Sequence, residues 1–532
     1  MKKRTARMIS VFLTLILFIL AGCAGNESGN PASGNDGGGA QSSGGETTGG
    51  SSGKLLDKPL TLKAVAGGTN INAKAPVFDH IFEKTNVRLE VEYVSTNYDQ
   101  RAQTMIATNN LPDIMLIKNS APYFAEAAKN GMFLPVSDYL DYAPNLSRIM
   151  KENKEIAKNK VGGILYSFPQ LGHWKLQLAQ APMMRVDLLE ELGLEKPKTF
   201  EDLYNILKKF KEAYPDKIPF TARESAKNVL GPLAFAMGSG NRIYFDPDVD
   251  GGKYLYGPMY PEFKKPLEFL HRLYVEKLFD PDYAVNTSDG MKEKLASGKA
   301  LFYYDNNSFG VNFNAALKPV NPKARFDLLP LMQNDRGQTR NWMYSKDWMH
   351  HFVINAKTKY PRETVKFLDW MYSEEGTIIM NYGAEGIDFD MVNGKPVIKE
   401  SVIEKFKNSK DPYRDMQAAL GVGFQAFTPN VDETPMAIVS DPDLVRWAEQ
   451  IIPENGYVYS MTPPPFTEQE VERLKTLQSK VDTLMDQEMD KFIIGTRPMS
   501  DYDNLIRQLK DSGAQEIEDI YNEAYQRFLN EN

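Results

Sequence analysis

Apolar residues recur with two different periods along the first stretch that can fold. Val87, Leu89, Val91 and Tyr93 alternate with Arg88, Glu90 and Glu92. A period of two predicts a strand over 87–94 with one buried face. Residues 61–66 (TLKAVA) read as a shorter strand that ends in Gly67-Gly68-Thr69-Asn70. Between these runs, Val77, Ile81 and Phe82 share one face of a helix predicted over 76–85. Residues 98–108 read as a second helix. The run 113–117 (DIMLI) is almost continuously apolar, as expected of a strand covered on both faces. Residues 121–130 are again helical and are ended by Gly131. Strands alternating with helices predict a mainly parallel α/β sheet. Ligands of such sheets sit beyond the carboxyl ends of the strands. The loops 67–72 and 118–121 are therefore candidate ligand loops, with ordinary strand-to-helix turns as the alternative.

Farther along, Thr199-Phe200-Glu201-Asp202 resembles a capping box, and Phe200, Leu203, Tyr204, Leu207 and Phe210 form one apolar stripe behind it. Near the end, Ile517, Ile520, Tyr521, Ala524, Tyr525 and Phe528 keep helical spacing over three turns. Both stripes are core faces. No internal repeat or heptad run is present.

The amino terminus follows a different pattern. Lys2, Lys3, Arg4 and Arg7 precede an apolar run from about residue 8 to residue 20. This is a secretory signal pattern, too short for a comfortable transmembrane helix. It ends in Leu20-Ala21-Gly22-Cys23, which resembles the bacterial lipobox, so residues 1–22 are expected to be a lipoprotein signal peptide. The Cys23 thiol then accepts a diacylglycerol, and two or three acyl chains give stable anchoring. Residues 24–53 hold 11 Gly and 6 Ser. They cannot bury enough apolar area to offset their ordering entropy. Residues 23–54 thus read as the lipidated cysteine and a flexible tether with a reach of roughly 30 Å. Gly49-Gly50-Ser51-Ser52-Gly53 matches the nucleophile elbow only in letters, because that motif needs a strand before it and a helix after it.

Composition narrows the chemistry. Among 532 residues Cys23 is the single cysteine, which excludes a disulfide framework and any cysteine-built metal site. The formal net charge of −8 argues against a nucleic-acid partner. The histidines at 80, 173, 271, 350 and 351 form no metalloprotease motif. His350-His351 precede a strand-like run, and adjacent strand residues point to opposite faces, so the pair is a poor chelate. Asp246-Pro247-Asp248-Val249-Asp250-Gly251 imitates the start of a calcium loop, but its twelfth position is Gly257 where a bidentate Glu is needed. No phosphate-binding or dinucleotide motif appears. No metal and no cofactor are expected. Glycoside hydrolysis needs only two suitably spaced carboxylates, which 70 acidic residues do not refute. The positive signs are aromatic and amide residues in loop-like contexts, at 168–174, 303–307 and 342–348. Rings stack on the CH faces of sugars while amides and acids read the hydroxyls. With 26 Tyr, 28 Phe and 5 Trp, most rings are nonetheless core.

Several stretches, in order, resemble one family. They are the lipobox with its tether, Leu111-Pro112-Asp113-Ile114, Gly162 through Pro169 (GGILYSFP), Arg185 through Leu194 (RVDLLEELGL), Pro197 through Leu203 (PKTFEDL), Ala296-Ser297-Gly298-Lys299-Ala300, Gly383-Ala384-Glu385-Gly386-Ile387 and Phe492-Ile493-Ile494-Gly495. Together they look like a lipoprotein extracellular solute-binding protein, family 1, of a Gram-positive carbohydrate ABC importer, over residues 55–532. That resemblance implies an α/β fold of the periplasmic-binding-protein-like type II, with two lobes joined by hinge crossings and a ligand cleft between them. By analogy, residues 55–178 and 349–430 would make lobe 1, and 179–348 and 431–532 lobe 2. Some alginate-oligosaccharide binders of the family carry a calcium loop after the helix matching 200–213. Here residues 213–219 are too short and too poor in carboxylates for it.

The expected function is a non-enzymatic receptor for an oligosaccharide or sugar derivative, lipid-anchored on the extracellular face of the membrane. It would be a monomer that serves ABC permease subunits. Candidate contacts are Asn70 and Asn72 on the first loop, and Gln170, His173 and Trp174 near the first crossing. Tyr304, Asp305, Trp342 and Trp348 would come from the second lobe, and Glu385 and Asp388 from the G-A-E-G-I-D segment. Trp174, Trp342 or Trp348 would stack on sugar rings. The competing readings are a secreted carbohydrate-active lipoprotein enzyme and a ligand-sensing lipoprotein coupled to a sensor kinase.

Overall fold

A computed structural model describes residues 53–118, 123–172, 175–345, 350–409, 411–424 and 426–531. Cys23 and its tether, the loop 119–122, His173, Trp174 and Trp348 lie outside them. Among the described residues, no helix is long and apolar enough to cross a membrane.

The first strands follow the sequence pattern closely. They are β1 (Leu60–Gly67), β2 (Val87–Val94) and β3 (Ile114–Lys118), with the helix Pro76–Thr85 between the first two. A short β4 (Ser167–Pro169) comes later. Next come β5 (Gln180–Arg185), β6 (Ile218–Phe220), a hairpin of β7 (Ile243–Asp246) and β8 (Lys253–Tyr256), then β9 (Ala300–Asn306), β10 (Phe326–Leu328) and β11 (Asn341–Met343). The remaining strands are β12 (His350–Ile354), the hairpin β13 (Phe389–Val392) and β14 (Lys395–Ile398), and β15 (Tyr457–Tyr459).

Two main sheets result. The first has the order β2-β1-β3-β12-β4, and the second β10-β5-β9-β6. In the first, β1, β2 and β3 are parallel, and β12 runs antiparallel to both β3 and β4. In the second, β6 and β9 are parallel, while β5 is antiparallel to β9 and β10. The apolar run of β3 is covered on both faces: Ile114 and Leu116 join one core cluster, Met115 and Ile117 another. Beneath the second sheet, Phe302 and Tyr304 pack with Leu203, Leu207 and Phe210 of the helix Phe200–Ala213. Leu477, Met485 and Phe492 of the long helix Glu468–Ile494 close the same core.

The chain passes from the first sheet to the second after β4 and returns before β12, and residues 429–433 lie against the first passage. Leu171 N–H donates to Pro429 C=O (2.7 Å), and Val431 N–H donates to Leu171 C=O (2.7 Å). The fully buried Glu433 carboxylate accepts from the Lys175 and Leu176 amides at 2.6 and 2.8 Å. Gly172 lies at φ +78°, and a Cβ there would stand 2.1 Å from the Val431 carbonyl oxygen. Only glycine fits so close a backbone crossing.

Candidate functional site

The carboxyl ends of β1, β2 and β3 and the start of β12 share one edge of the first sheet. Gly67 ends β1 against the Tyr98 ring, 3.2 Å from where a Cβ would sit. The Tyr98 hydroxyl donates to the carbonyls of Val65 (3.2 Å) and Leu116, which fixes the ring under the loop. Thr69, Ser95, Asn97, Lys118 and His350 then line a cavity of about 280 Å³. Asn70 and Asn97 hold left-handed backbone at φ 60° and 54°, a conformation that asparagine adopts more readily than most residues. Lys118 Nζ pairs with Asp99 at 2.8 Å.

The second sheet presents a polar cluster at its corresponding edge. Asp305, next to last in β9, is buried. Its carboxylate accepts from Arg223 Nε (2.7 Å) and Nη2 (3.1 Å), from Asn228 Nδ2 (2.9 Å) and from the Asn306 amide (2.7 Å). Arg223 stands three residues beyond β6, ahead of Glu224 and Ser225, both at positive φ. Such strain persists only where the surroundings over-determine it. Gln180, the first residue of β5, donates to Asn228 Oδ1 at 3.0 Å. Tyr344 joins the cluster from the returning crossing. Its N–H donates to Leu178 C=O at 2.8 Å. Burial, reinforced by the Asp305 charge, raises its phenol well above the ordinary range, against the opposing pull of Arg223 and the Asn306 amide.

A groove of about 830 Å³ draws its walls from both sides. Lys292, Ser308 and Phe309 belong to the second side, Asp411, Tyr413 and Phe424 to the first, and Gln177 lies on the crossing between them. The Phe424 ring stacks on His350 with centroids 5.9 Å apart at 18°, which links the groove to the smaller cavity. Sugar-sized ligands use concave, partly aromatic sites with a few convergent polar groups.

The expected contacts divide between this region and purely internal roles. Asp305 lies in the cluster, and Trp342 stands half-buried beside it, edge-on to Tyr344 at 5.3 Å and 72°. Gln170 is buried at the crossing, where its Nε2 donates to Thr428 C=O at 2.9 Å. Asn70 is exposed on the first loop. Asn72 ties that loop to the end of the helix Pro412–Leu420, through its N–H to Ala418 C=O (2.8 Å) and its Nδ2 to Ala419 C=O (3.3 Å). Tyr304 points into the core beneath the second sheet, opposite to Tyr303, because neighbouring strand residues face opposite ways. Asp388 is buried and closes a turn by accepting from the Ala384 amide (2.8 Å), while Glu385 on that turn is exposed. Neither lines the groove or the smaller cavity. The calcium-like turn is held by an internal cation: Arg340 Nη1 lies 3.2 Å from both Asp246 and Asp248.

Arg223, Asn228, Lys292, Phe309 and Phe424 escaped the sequence reading. Arg223 and Phe309 carry the one signal available, a position just past the carboxyl end of a parallel strand. The 218–220 strand is too short to announce itself.

Residues 66–378 match the family model described as bacterial extracellular solute-binding protein. The chain is 23% identical to Lipoprotein LipO of Bacillus subtilis, over 97% of each chain. It is 25% identical to the polygalacturonan/rhamnogalacturonan-binding protein YtcQ of the same organism, over 83% of this chain and 86% of that one. Among solved structures, the alginate-binding protein AlgQ2 without calcium ion superposes with a TM-score of 0.75 at 23% identity, covering 89% of this chain and 99% of the other. The Streptococcus pneumoniae substrate-binding protein FusA in complex with kestose gives 0.71 at 19%, covering 89% and 100%. With its two α/β sheets and the crossings between them, the chain has the type II periplasmic-binding fold and belongs to the bacterial extracellular solute-binding protein family.

Proposed function

We propose that the protein captures an oligosaccharide between two lobes and delivers it to the permease subunits of an ABC importer. The observation that carries this reading is a groove walled by Lys292, Ser308 and Phe309 around the end of β9 on one side and by Asp411, Tyr413 and Phe424 on the other, beside backbone crossings able to act as a hinge. Binding proteins of this kind close by hinge motion around the ligand. The lobes would comprise residues 55–178 with 349–430, and 179–348 with 431–532. Relatives named for polygalacturonan/rhamnogalacturonan, alginate and kestose support a carbohydrate ligand. They are named as binding proteins, which supports a receptor over an enzyme. Cys23 would carry the lipid that holds a monomeric receptor at the extracellular face; the name of LipO supports this.

Titration of intrinsic tryptophan fluorescence with neutral and acidic oligosaccharides tests the reading. A saturable change with at least one sugar is expected, together with a raised melting temperature, since binding to the folded state alone stabilises it. Response to a peptide or metal chelate and to no sugar would refute it. In cells, Cys23→Ser should move the protein from the membrane to the medium.

A further inference from the structure

β12 separates two concave regions. His350 faces the groove through its stack on Phe424. His351 stacks on Phe124 instead, and both line a second cavity of about 500 Å³. Neighbouring strand residues point to opposite faces. The groove and this rear cavity therefore lie on opposite faces of the first sheet, with the crossing that leads into β12 between them. The rear cavity also draws its walls from both sides: Lys129 and Lys158 from the first, Thr462, Phe466 and Glu468 from the second. The side chain of Lys158, in the short 3-10 helix Lys154–Asn159, is fully buried. Its ammonium pairs with Glu155, donates to Thr462 C=O (3.5 Å) and stands 4.9 Å from the centroid of the Phe528 ring. The Tyr254 hydroxyl donates to the same carbonyl at 3.0 Å, which holds it in place. Lys129 Nζ pairs with Glu468 at 3.1 Å.

We propose that Lys158 is a rear latch that sets the sugar affinity of the receptor without touching the sugar. The proposal rests on the two-lobe sugar-receptor reading above. With the crossings as fulcrum, a turn of the second lobe that narrows the groove parts the walls of the rear cavity. That turn draws Phe528 and the Thr462 carbonyl away from the Lys158 ammonium. The cation–π contact and the hydrogen bond are made while the groove stands open, so they weight the balance toward the open form. A ligand that needs the closed form binds more weakly in proportion as that form is rare. The Lys129–Glu468 pair acts in the same sense but contributes less, because Glu468 is exposed and water screens it.

The test is isothermal titration calorimetry on the full chain in detergent, with kestose, maltotriose, xylotriose and trigalacturonate. For whichever probe the wild type binds, Lys158→Ala should bind about 5-fold more tightly, because loss of the latch enriches the closed form. Phe528→Leu, which takes the ring from the other side of the contact, should tighten binding too, and joined to Lys158→Ala it should add little. A residue that only supported the fold would weaken binding or leave it unchanged when removed, so the direction of the change separates the two roles. If Lys158→Ala fails to fold, Lys158→Met keeps the packed stem and removes only the charge. Wild-type or weaker affinity in the folded Lys158 variant, or full additivity of the two changes, would overturn the latch while leaving the sugar reading intact. Binding of none of the four probes would sink both.

Discussion

His351 lies flat on Phe124, with centroids 4.3 Å apart at 9°, and its Nδ1 is 2.9 Å from the Ser167 hydroxyl. Burial, with a smaller contribution from His350, pushes its imidazole from 6.5 down to about 3. The unfolded chain therefore binds a proton that the folded chain refuses between these two values. Stability contributed by the neutral ring is intact above about pH 6.5 and is lost as the pH falls toward 3. Urea midpoints measured from pH 7 to pH 4 should fall, and His351→Asn should flatten that dependence. The opposite facing of His350 and His351 was legible in the strand period. The partners of Asp305 were not, because Arg223 and Asn228 arrive from another strand end and another helix. Likewise a buried or groove-facing position for Tyr304 depends on which face of β9 carries which core, and the local pattern there is apolar on both sides.

The strand and helix bounds at the amino end of the folded region agree with the alternation that predicted them: Pro76–Thr85 and Val87–Val94 match in full. Capping was equally legible. Thr199 accepts from the Asp202 amide (3.1 Å), and Asp202 accepts from the Thr199 amide (2.9 Å), at the start of the helix Phe200–Ala213. Thr199→Ala should cost about 1 kcal/mol in chemical denaturation. Glu468–Ile494 begins with a second reciprocal box, from Thr467 and Glu470. The three-residue strands β4, β6, β10, β11 and β15 are a different matter. Runs that short have no period to read: β4, β6 and β10 become strands where a longer neighbour offers its backbone, and β11 and β15 pair with each other across more than a hundred residues.

The two-sheet architecture was legible only through resemblance, since nothing local says that β12 belongs between β3 and β4. The proposed hinge can be tested at this scale. Gly172→Ala would force a side chain into left-handed backbone and into the Val431 carbonyl. It should lower the melting temperature. Small-angle scattering with and without bound sugar should then show a smaller change in radius of gyration than the wild type gives. The place of β12 has one more consequence, for assembly. A chain made from its amino end delivers β1 to β4 long before residues 350–354. Until they arrive, β3 keeps an open edge along an apolar run, and β4 has no strand to pair with. Open apolar edges recruit other chains, and pairings this far apart in sequence form slowly. Of the two main sheets the first is therefore completed second, although it begins first, and an aggregation-prone interval is built into the birth of every molecule.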